Sequence, residues 1–216
     1  MPGRAKIFLE RLAVANTQQQ FGFAHVGYLG GGAPDYQLQN AVIASSYATN
    51  IGFGDPVLYT TAGTQGTIIQ ATGALATTVP ILGIFQGCSY IPTGSNQPPT
   101  WSPYWPGSAA QNATAYVISA PNALFKVAAL NTAISTVNLG MNINFTTGSC
   151  STTGGGFSIA TIDQSTATAM GTTASTFPFK VYSLYQGIGN GSDPTTAYNW
   201  AVVGFNFQLF RSASHG

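Results

Sequence analysis

The chain has 216 residues and a mass of 22.4 kDa, which is enough to bury a hydrophobic core of its own. Only 11 residues are charged, about 5% against roughly a quarter in an ordinary soluble domain, while Ser, Thr, Asn and Gln supply 69 polar residues. So few titratable and basic groups argue against an acid–base enzyme and a nucleic-acid partner, and we expect no metal, no cofactor and no membrane-spanning helix.

Residues 1–20 differ in composition from the rest of the chain. Four of the eleven charges lie in the first eleven positions, at Arg4, Lys6, Glu10 and Arg11. Apolar residues such as Phe8 lie among them, and the polar run 16–20 is typical of a hinge. We interpret this segment as an N-terminal arm that either docks on a neighbouring molecule or frays into solvent. If it docks, we expect Arg4, Lys6, Phe8 and Arg11 to make the contact.

From residue 21 onward the sequence predicts β-strands. Short runs rich in Val, Ile, Thr, Tyr and Phe are interrupted by Gly, Pro, Asn and Asp. The predicted strands are 55–61, 67–70, 79–87, 114–119, 124–130, 141–145, 157–163, 179–186 and 199–210. The last is the clearest, because alternate residues from Ala201 to Leu209 are apolar. We therefore predict one all-β domain over 21–216, a jelly-roll-like antiparallel β-sandwich or barrel with long loops.

Three aspartates lie in turn-forming contexts. Asp55 and Asp193 each precede a proline, and Asp163 is followed by polar residues. We expect each side chain to cap a turn, which leaves no convincing pair of carboxylates for glycoside hydrolysis. His25 has no clear catalytic partner, and Cys88 and Cys150 have no metal-type spacing. We interpret the histidine as structural and the cysteines as buried thiols.

The loop 89–112 is rich in proline and aromatic residues. It contains five prolines together with Trp101, Tyr104 and Trp105, and this proline density excludes a regular central strand. The aromatic residues would form an exposed contact surface, or the loop would fold back so that its tryptophans cover one end of the barrel.

The order of small motifs along residues 21–208 resembles the head decoration, or capsid cement, proteins of tailed bacteriophages. The motifs are FGF (21–23), GAP with Tyr36 (32–36), IASSYAT (43–49), GDPV (54–57), ILGIFQG (81–87), AYVI (115–118), PNALFKV (121–127), VNLGMN (137–142), IDQSTA (162–167), FKVYSL (179–184) and NWAVVGFN (199–206).

This resemblance implies a non-enzymatic virion protein without a cofactor. Such a protein is made in the host cytoplasm, forms dimers or trimers, binds the outer capsid surface and bridges capsomers of the major capsid protein. An alternative is a carbohydrate- or receptor-binding module of a fibre, with Trp101, Tyr104 and Trp105 as a platform for a host-surface glycan. The sequence also lacks a secretory signal, so we expect a cytoplasmic product.

Overall fold

The computed structural model describes residues 15–19, 21–35, 37–94, 97–150, 152, 155–168 and 173–211. Strands dominate this part of the chain, and three short 3-10 turns accompany them. The strands are β1 (Ala24–Tyr28), β2 (Gln39–Ile43), β3 (Pro56–Tyr59), β4 (Ile68–Gln70), β5 (Gly83–Tyr90), β6 (Thr100–Ser102), β7 (Ala113–Ile118), β8 (Ala123–Ala128), β9 (Asn142–Thr146), β10 (Thr161–Thr168), β11 (Phe179–Leu184) and β12 (Trp200–Phe205).

The described strands form two antiparallel sheets that pack together. The first sheet has the order β1-β8-β12-β11-β9-β10, and the second has the order β2-β7-β5-β3-β4, with β6 paired to β5. A parallel bridge between Val42 and Thr67 brings the two ends of the second sheet together, so that this sheet curls towards a barrel. The all-β sandwich is thus confirmed, whereas the jelly-roll connectivity stays a prediction.

Phenylalanine rings fill the space between the sheets. Phe179 stacks on Phe23 with ring centroids 4.3 Å apart, and it also stacks with Phe205 at 5.9 Å. Phe125 and Phe145 complete the cluster with edge-to-face contacts. The second sheet contributes buried aliphatic residues from its facing side, among them Leu58, Ile84 and Ile118. Burial of these large side chains supplies the main driving force for packing the two sheets together.

The opposite side of the second sheet is also buried. Val57, Phe85 and Val117 form a second apolar cluster there, which Ile51 and Trp105 close from adjoining loops. Strands buried on both faces read as continuous apolar runs rather than as alternating ones. This explains why residues 81–85 are all fully buried.

Three predicted strands differ from the structure by more than three residues at one end or both. The strand at 79–87 begins only at Gly83, after a 3-10 turn, and the strand at 157–163 is shifted to Thr161–Thr168. The strand at 199–210 ends at Phe205, because the next two backbone N–H groups bond to the Pro178 carbonyl oxygen. After Phe205, the predicted alternation of buried and exposed residues is reversed. Gln208 is buried and donates to the carbonyls of Leu82 and Ser119, while Leu209 is exposed.

Strands β1, β2 and β6 were not predicted individually. Strand β6 has three residues at the edge of β5, which is compatible with the exclusion of a central strand from the proline-rich loop. The edge strands of the first sheet, β1 and β10, each carry a register shift. Such irregularities interrupt the row of unpaired backbone groups that would otherwise recruit another strand.

Phe179→Ala should lower the free energy of unfolding by about 3–5 kcal/mol, because it leaves a cavity among stacked rings. Phe210→Ala is the matched control, since Phe210 is 52% exposed and should cost less than about 1 kcal/mol. Urea unfolding followed by fluorescence measures both. Equal losses for the two variants would contradict the assignment of the core.

Candidate functional site

Trp105 is buried in the second apolar cluster. Its backbone pairs with Ile51, with an N···O distance of 2.8 Å from the Trp105 amide, and its indole Nε1 donates to the Tyr47 carbonyl oxygen at 2.8 Å. The Tyr90 ring contacts it edge-on at 5.9 Å. With no exposed surface in this chain, Trp105 cannot belong to an exposed platform. Its position fits the alternative in which the loop folds back, because backbone pairing turns the side chain inward.

The other two aromatic residues of the loop lie closer to solvent. Trp101, on the edge strand β6, is 59% exposed, and one side of its ring lies against Gly87. Tyr104 is half-buried and packs against Gly156. Of the three aromatic residues in the predicted contact surface, only Trp101 exposes most of its side chain to solvent.

The predicted arm residues Arg4, Lys6, Phe8 and Arg11 lie outside the described residues. The end of the arm is described and is anchored. The Asn16 side chain donates to the Asp193 carbonyl oxygen and to Thr196 Oγ1, both at 2.8 Å, and accepts from the Gly191 N–H at 2.8 Å. The Thr17 N–H donates to Asn190 Oδ1 at 2.7 Å. The first two residues of the predicted hinge are therefore attached to the loop after β11.

Beside this anchor, a lysine is surrounded by aromatic rings. The Nζ of Lys126 lies 4.4 Å from the ring centroid of Trp200 and 5.2 Å from those of Phe21 and Tyr185. We call these four residues the Lys126 cluster. Lys126 points outward because its neighbours on β8, Phe125 and Val127, point into the core. The rings are attracted to the ammonium group through their π faces and hold the stem of the lysine in place.

The outer face of the first sheet continues from the Lys126 cluster. Lys180 lies outward between two buried residues of β11, and its backbone partner on β12 is Gly204. Tyr182 covers Gly204, which has no side chain to displace the ring. Arg211 donates through Nη2 to the Tyr182 hydroxyl at 3.2 Å and through Nη1 to the Phe205 carbonyl oxygen.

We call the Lys126 cluster together with Lys180, Tyr182 and Arg211 the cationic face. Lys126, Lys180 and Arg211 are the three lysine and arginine residues of the described part of the chain, and all lie on this one face. Strands β8, β11 and β12 carry no carboxylate. Ile188, on the loop after β11, is fully exposed beside Tyr185.

The sequence did not reveal the cationic face. Alternation on β8 and β12 already places Lys126 and Trp200 opposite the core-facing residues. Their proximity depends on strand register, which pairs Ala128 with Trp200 and Lys126 with Val202. Phe21 comes from a loop 105 residues before Lys126, and Tyr185 from a loop 59 residues after it. No local pattern could have brought these four residues together.

Asp55 is the centre of a buried polar cluster. Its carboxylate accepts hydrogen bonds from the Gly52 N–H at 2.6 Å, from Gln70 Nε2 at 2.7 Å and from Ser158 Oγ. It thereby joins β3 to a segment about 100 residues further along the chain. Burial nevertheless raises the pKa of Asp55 to about 6, against the opposing effect of these hydrogen bonds. The predicted turn role is confirmed, and the cluster adds a long-range connection.

The other titratable side chains considered in the sequence analysis are buried or form hydrogen bonds within the fold. His25 Nε2 donates to the Gly27 carbonyl oxygen at 3.1 Å, and burial lowers the pKa of this histidine. Cys88 and Cys150 are free and buried, and burial raises the pKa of their thiols to about 12 and about 11. Asp163 and Asp193 accept from the backbone N–H groups two residues ahead, as predicted.

The described residues contain no group of three His, Cys, Asp or Glu side chains that could hold a metal ion. Within the same ranges, the structure has no helix of the length and hydrophobicity needed to cross a bilayer. Comparisons with protein-family models, with curated proteins and with solved structures find no match to this chain.

Trp105→Ala should lower the free energy of unfolding by about 3–5 kcal/mol, because Trp105 is a buried core residue. Trp101→Ala, the matched control, should cost less than about 1 kcal/mol because most of this ring lies in solvent. Thermal or urea unfolding distinguishes the two. A larger loss for the Trp101 variant would contradict the inward placement of Trp105.

The free energy of unfolding should depend on pH through Asp55. The unfolded carboxyl releases its proton above pH about 3.9, whereas the folded one keeps it up to about pH 6. The proton held only by the folded state stabilises it, so this contribution is present at pH 4 and lost as the pH rises through 6. Its size is about 3 kcal/mol.

Asp55→Asn removes this titration. Denaturant unfolding of both proteins at pH 4, 5, 6 and 7 isolates the contribution, because every other titratable group is common to the two. The difference in stability between wild type and variant should change steadily across this range in favour of the wild type at low pH. A constant difference would contradict the buried position of the carboxyl.

Proposed function

We propose that this chain is a non-enzymatic virion protein that binds the outer surface of an icosahedral phage head and bridges neighbouring capsomers of the major capsid protein. The observation that carries the proposal is the cationic face, a half-buried basic and aromatic surface on an otherwise sparsely charged β-sandwich. The resemblance of the ordered motifs to capsid decoration proteins points to the same role.

The distribution of polar groups suits a protein that is repeated many times on one particle. Asp55 and Asn16 use their polar side chains internally, to hold distant segments together. Most of the surface depends on hydroxyl and amide groups, whose hydrogen bonds are less sensitive to salt than exposed ion pairs. In a dimer or trimer, docking of one copy raises the effective concentration of the next, so each contact needs little affinity.

The described end of the N-terminal segment lies next to the Lys126 cluster. Asn16 is fixed to the loop after β11 beside Gly191, which packs on the Trp200 ring. Basic residues of the arm and of the cationic face would contact one partner together.

A carbohydrate-binding module of a fibre is the second candidate, and Trp101 is the observation that favours it. An exposed tryptophan on a β-sandwich stacks well on sugar rings. The buried position of Trp105 reduces the expected platform to one ring with Tyr104 half-buried beside it. A glycan array probed with wild type and with Trp101→Ala tests this candidate without disturbing the core.

Phage heads assembled from the cognate major capsid protein, without this chain, provide the direct test of decoration. Purified protein should sediment with these heads in a saturable and stoichiometric manner. A variant that begins at Ala15 keeps the Asn16 anchor and lacks the basic residues of the arm, so it should bind more weakly. Wild-type protein that stays in the supernatant at micromolar concentration would contradict the proposed function.

A further inference from the structure

We infer that Asn190 is a site of spontaneous deamidation, and that its conversion to a carboxylate releases the segment around Thr17 from the domain. Asn190 is the only one of the 13 asparagines in the chain that is followed by glycine. Asn190 and Gly191 also hold the described end of the N-terminal segment in place. A chemically labile dipeptide therefore lies at the point where that segment is attached.

Asn190 and Gly191 bind residues 16 and 17 through three hydrogen bonds, which we call the Asn190 clasp. The Asn190 side chain exchanges two of them with the backbone of Thr17. Its Oδ1 accepts from the Thr17 N–H at 2.7 Å, and its Nδ2 donates to the Thr17 carbonyl oxygen at 2.9 Å. The third runs from the Gly191 N–H to Asn16 Oδ1 at 2.8 Å. The clasp thus joins positions 173 and 175 residues apart in the chain.

The fold requires both members of this labile pair. An amide side chain carries an acceptor and a donor on one planar group, so it can bind both the N–H and the carbonyl of Thr17. Gly191 has a φ of +82°, which residues with a side chain rarely adopt. A Cβ at this position would also lie 2.2 Å from Cδ2 of Trp200. A bulkier residue, which would slow the reaction at Asn190, would strain the backbone and displace the Trp200 ring.

The reaction needs these two residues and water. The backbone nitrogen of Gly191 gives up its proton and attacks Cγ of Asn190. A bond forms between this nitrogen and Cγ, the Cγ–Nδ2 bond breaks, and Nδ2 leaves with the proton as ammonia. Water then adds to either carbonyl of the five-membered imide and opens it to aspartate or isoaspartate. Glycine as the second residue leaves the attacking nitrogen unshielded, because it has no side chain.

The Asn190 clasp slows this reaction in the folded protein. Gly191 is buried and its N–H is bonded to Asn16, so base has little access to the proton that must be removed. Thr17 holds both polar atoms of the Asn190 amide and restricts its rotation towards the Gly191 nitrogen. The reaction therefore proceeds when the clasp opens locally. Asn190 is only half-buried, so water reaches the opened site.

Deamidation prevents the clasp from closing again. A carboxylate has no N–H to donate, so an oxygen would face the Thr17 carbonyl oxygen in place of the amide nitrogen that now lies 2.9 Å from it. Two acceptors repel each other at that distance, and isoaspartate also lengthens the backbone. The loss of ammonia makes the change irreversible. Asn190 thereby times the release of the segment around Thr17.

Ageing of the purified chain in mildly alkaline buffer, followed by peptide mass mapping, tests the site. Asn190 should react before every other asparagine, and both aspartate and isoaspartate should form. In urea the clasp is open, so Asn190 should react about tenfold faster or more, since each lost hydrogen bond changes the opening equilibrium roughly two- to tenfold. Earlier reaction at another asparagine would overturn the site. Equal rates with and without urea would overturn the protection by the clasp.

Asn16→Ala removes the acceptor of the Gly191 N–H and should raise the rate at Asn190 about threefold or more. Asn206→Ala is the matched control. Its amide likewise anchors a loop, through the carbonyls of Ser175 and Phe177 at 3.0 and 2.7 Å, but at the opposite end of β12 from Trp200. The control should leave the rate at Asn190 unchanged. A wild-type rate in the Asn16 variant would contradict a protective clasp, provided that circular dichroism shows both variants folded.

Asn190→Asp tests the release without ageing. Hydrogen–deuterium exchange of the backbone at residues 15–19 should be about tenfold faster in this variant than in the wild type, because the clasp no longer closes. Asn122→Asp adds the same charge at an exposed asparagine and should leave this exchange unchanged. Exchange as slow as in the wild type would overturn the release, even if Asn190 deamidates. None of these measurements involves a capsid, so their outcomes are independent of the proposed function.

Discussion

The stacked phenylalanines between the two sheets are the constraint on which the rest of the molecule depends. Phe125, Phe179 and Phe205 all face inward, and each lies on a strand of the first sheet. Since side chains alternate along a strand, their neighbours must face outward. The core thus determines that Lys126 and Lys180 share one surface, and the apolar packing within the domain creates the only basic face among the described residues.

The second sheet, unlike the first, has an apolar cluster on each of its two sides. One of its sides packs on the phenylalanine core, and the other encloses the cluster around Trp105. Loops must close this second cluster, because no further sheet or helix covers it in the described part of the chain. Asp55, Ser158 and Gln70 hold these loops through buried hydrogen bonds. Some polar side chains that the sequence alone would place on the surface are therefore buried and stabilise the loops.

The few basic residues in the described part of the chain lie together in this fold. All three lysine and arginine residues of the described part of the chain lie on the outer face of the first sheet, and Asp163 faces the same way from β10. With a net charge of +1, electrostatic repulsion between two copies of this chain is small.

The sequence by itself determined the all-β class, most of the strands, the turn roles of the aspartates and the structural role of His25. These features follow from local propensity and period-two alternation, which a chain displays before it folds. Strand ends were less predictable, since the bonds to the Pro178 carbonyl that end β12 come from a residue outside that strand.

Only the tertiary structure decided which aromatic residues are exposed and which basic residues act together. Trp101 and Trp105 lie four residues apart in the same loop, yet pairing with Ile51 buries one and the sheet edge exposes the other. The Lys126 cluster joins Phe21, Tyr185 and Trp200 through strand register. Register and loop packing are long-range properties, so no window of the sequence contains them.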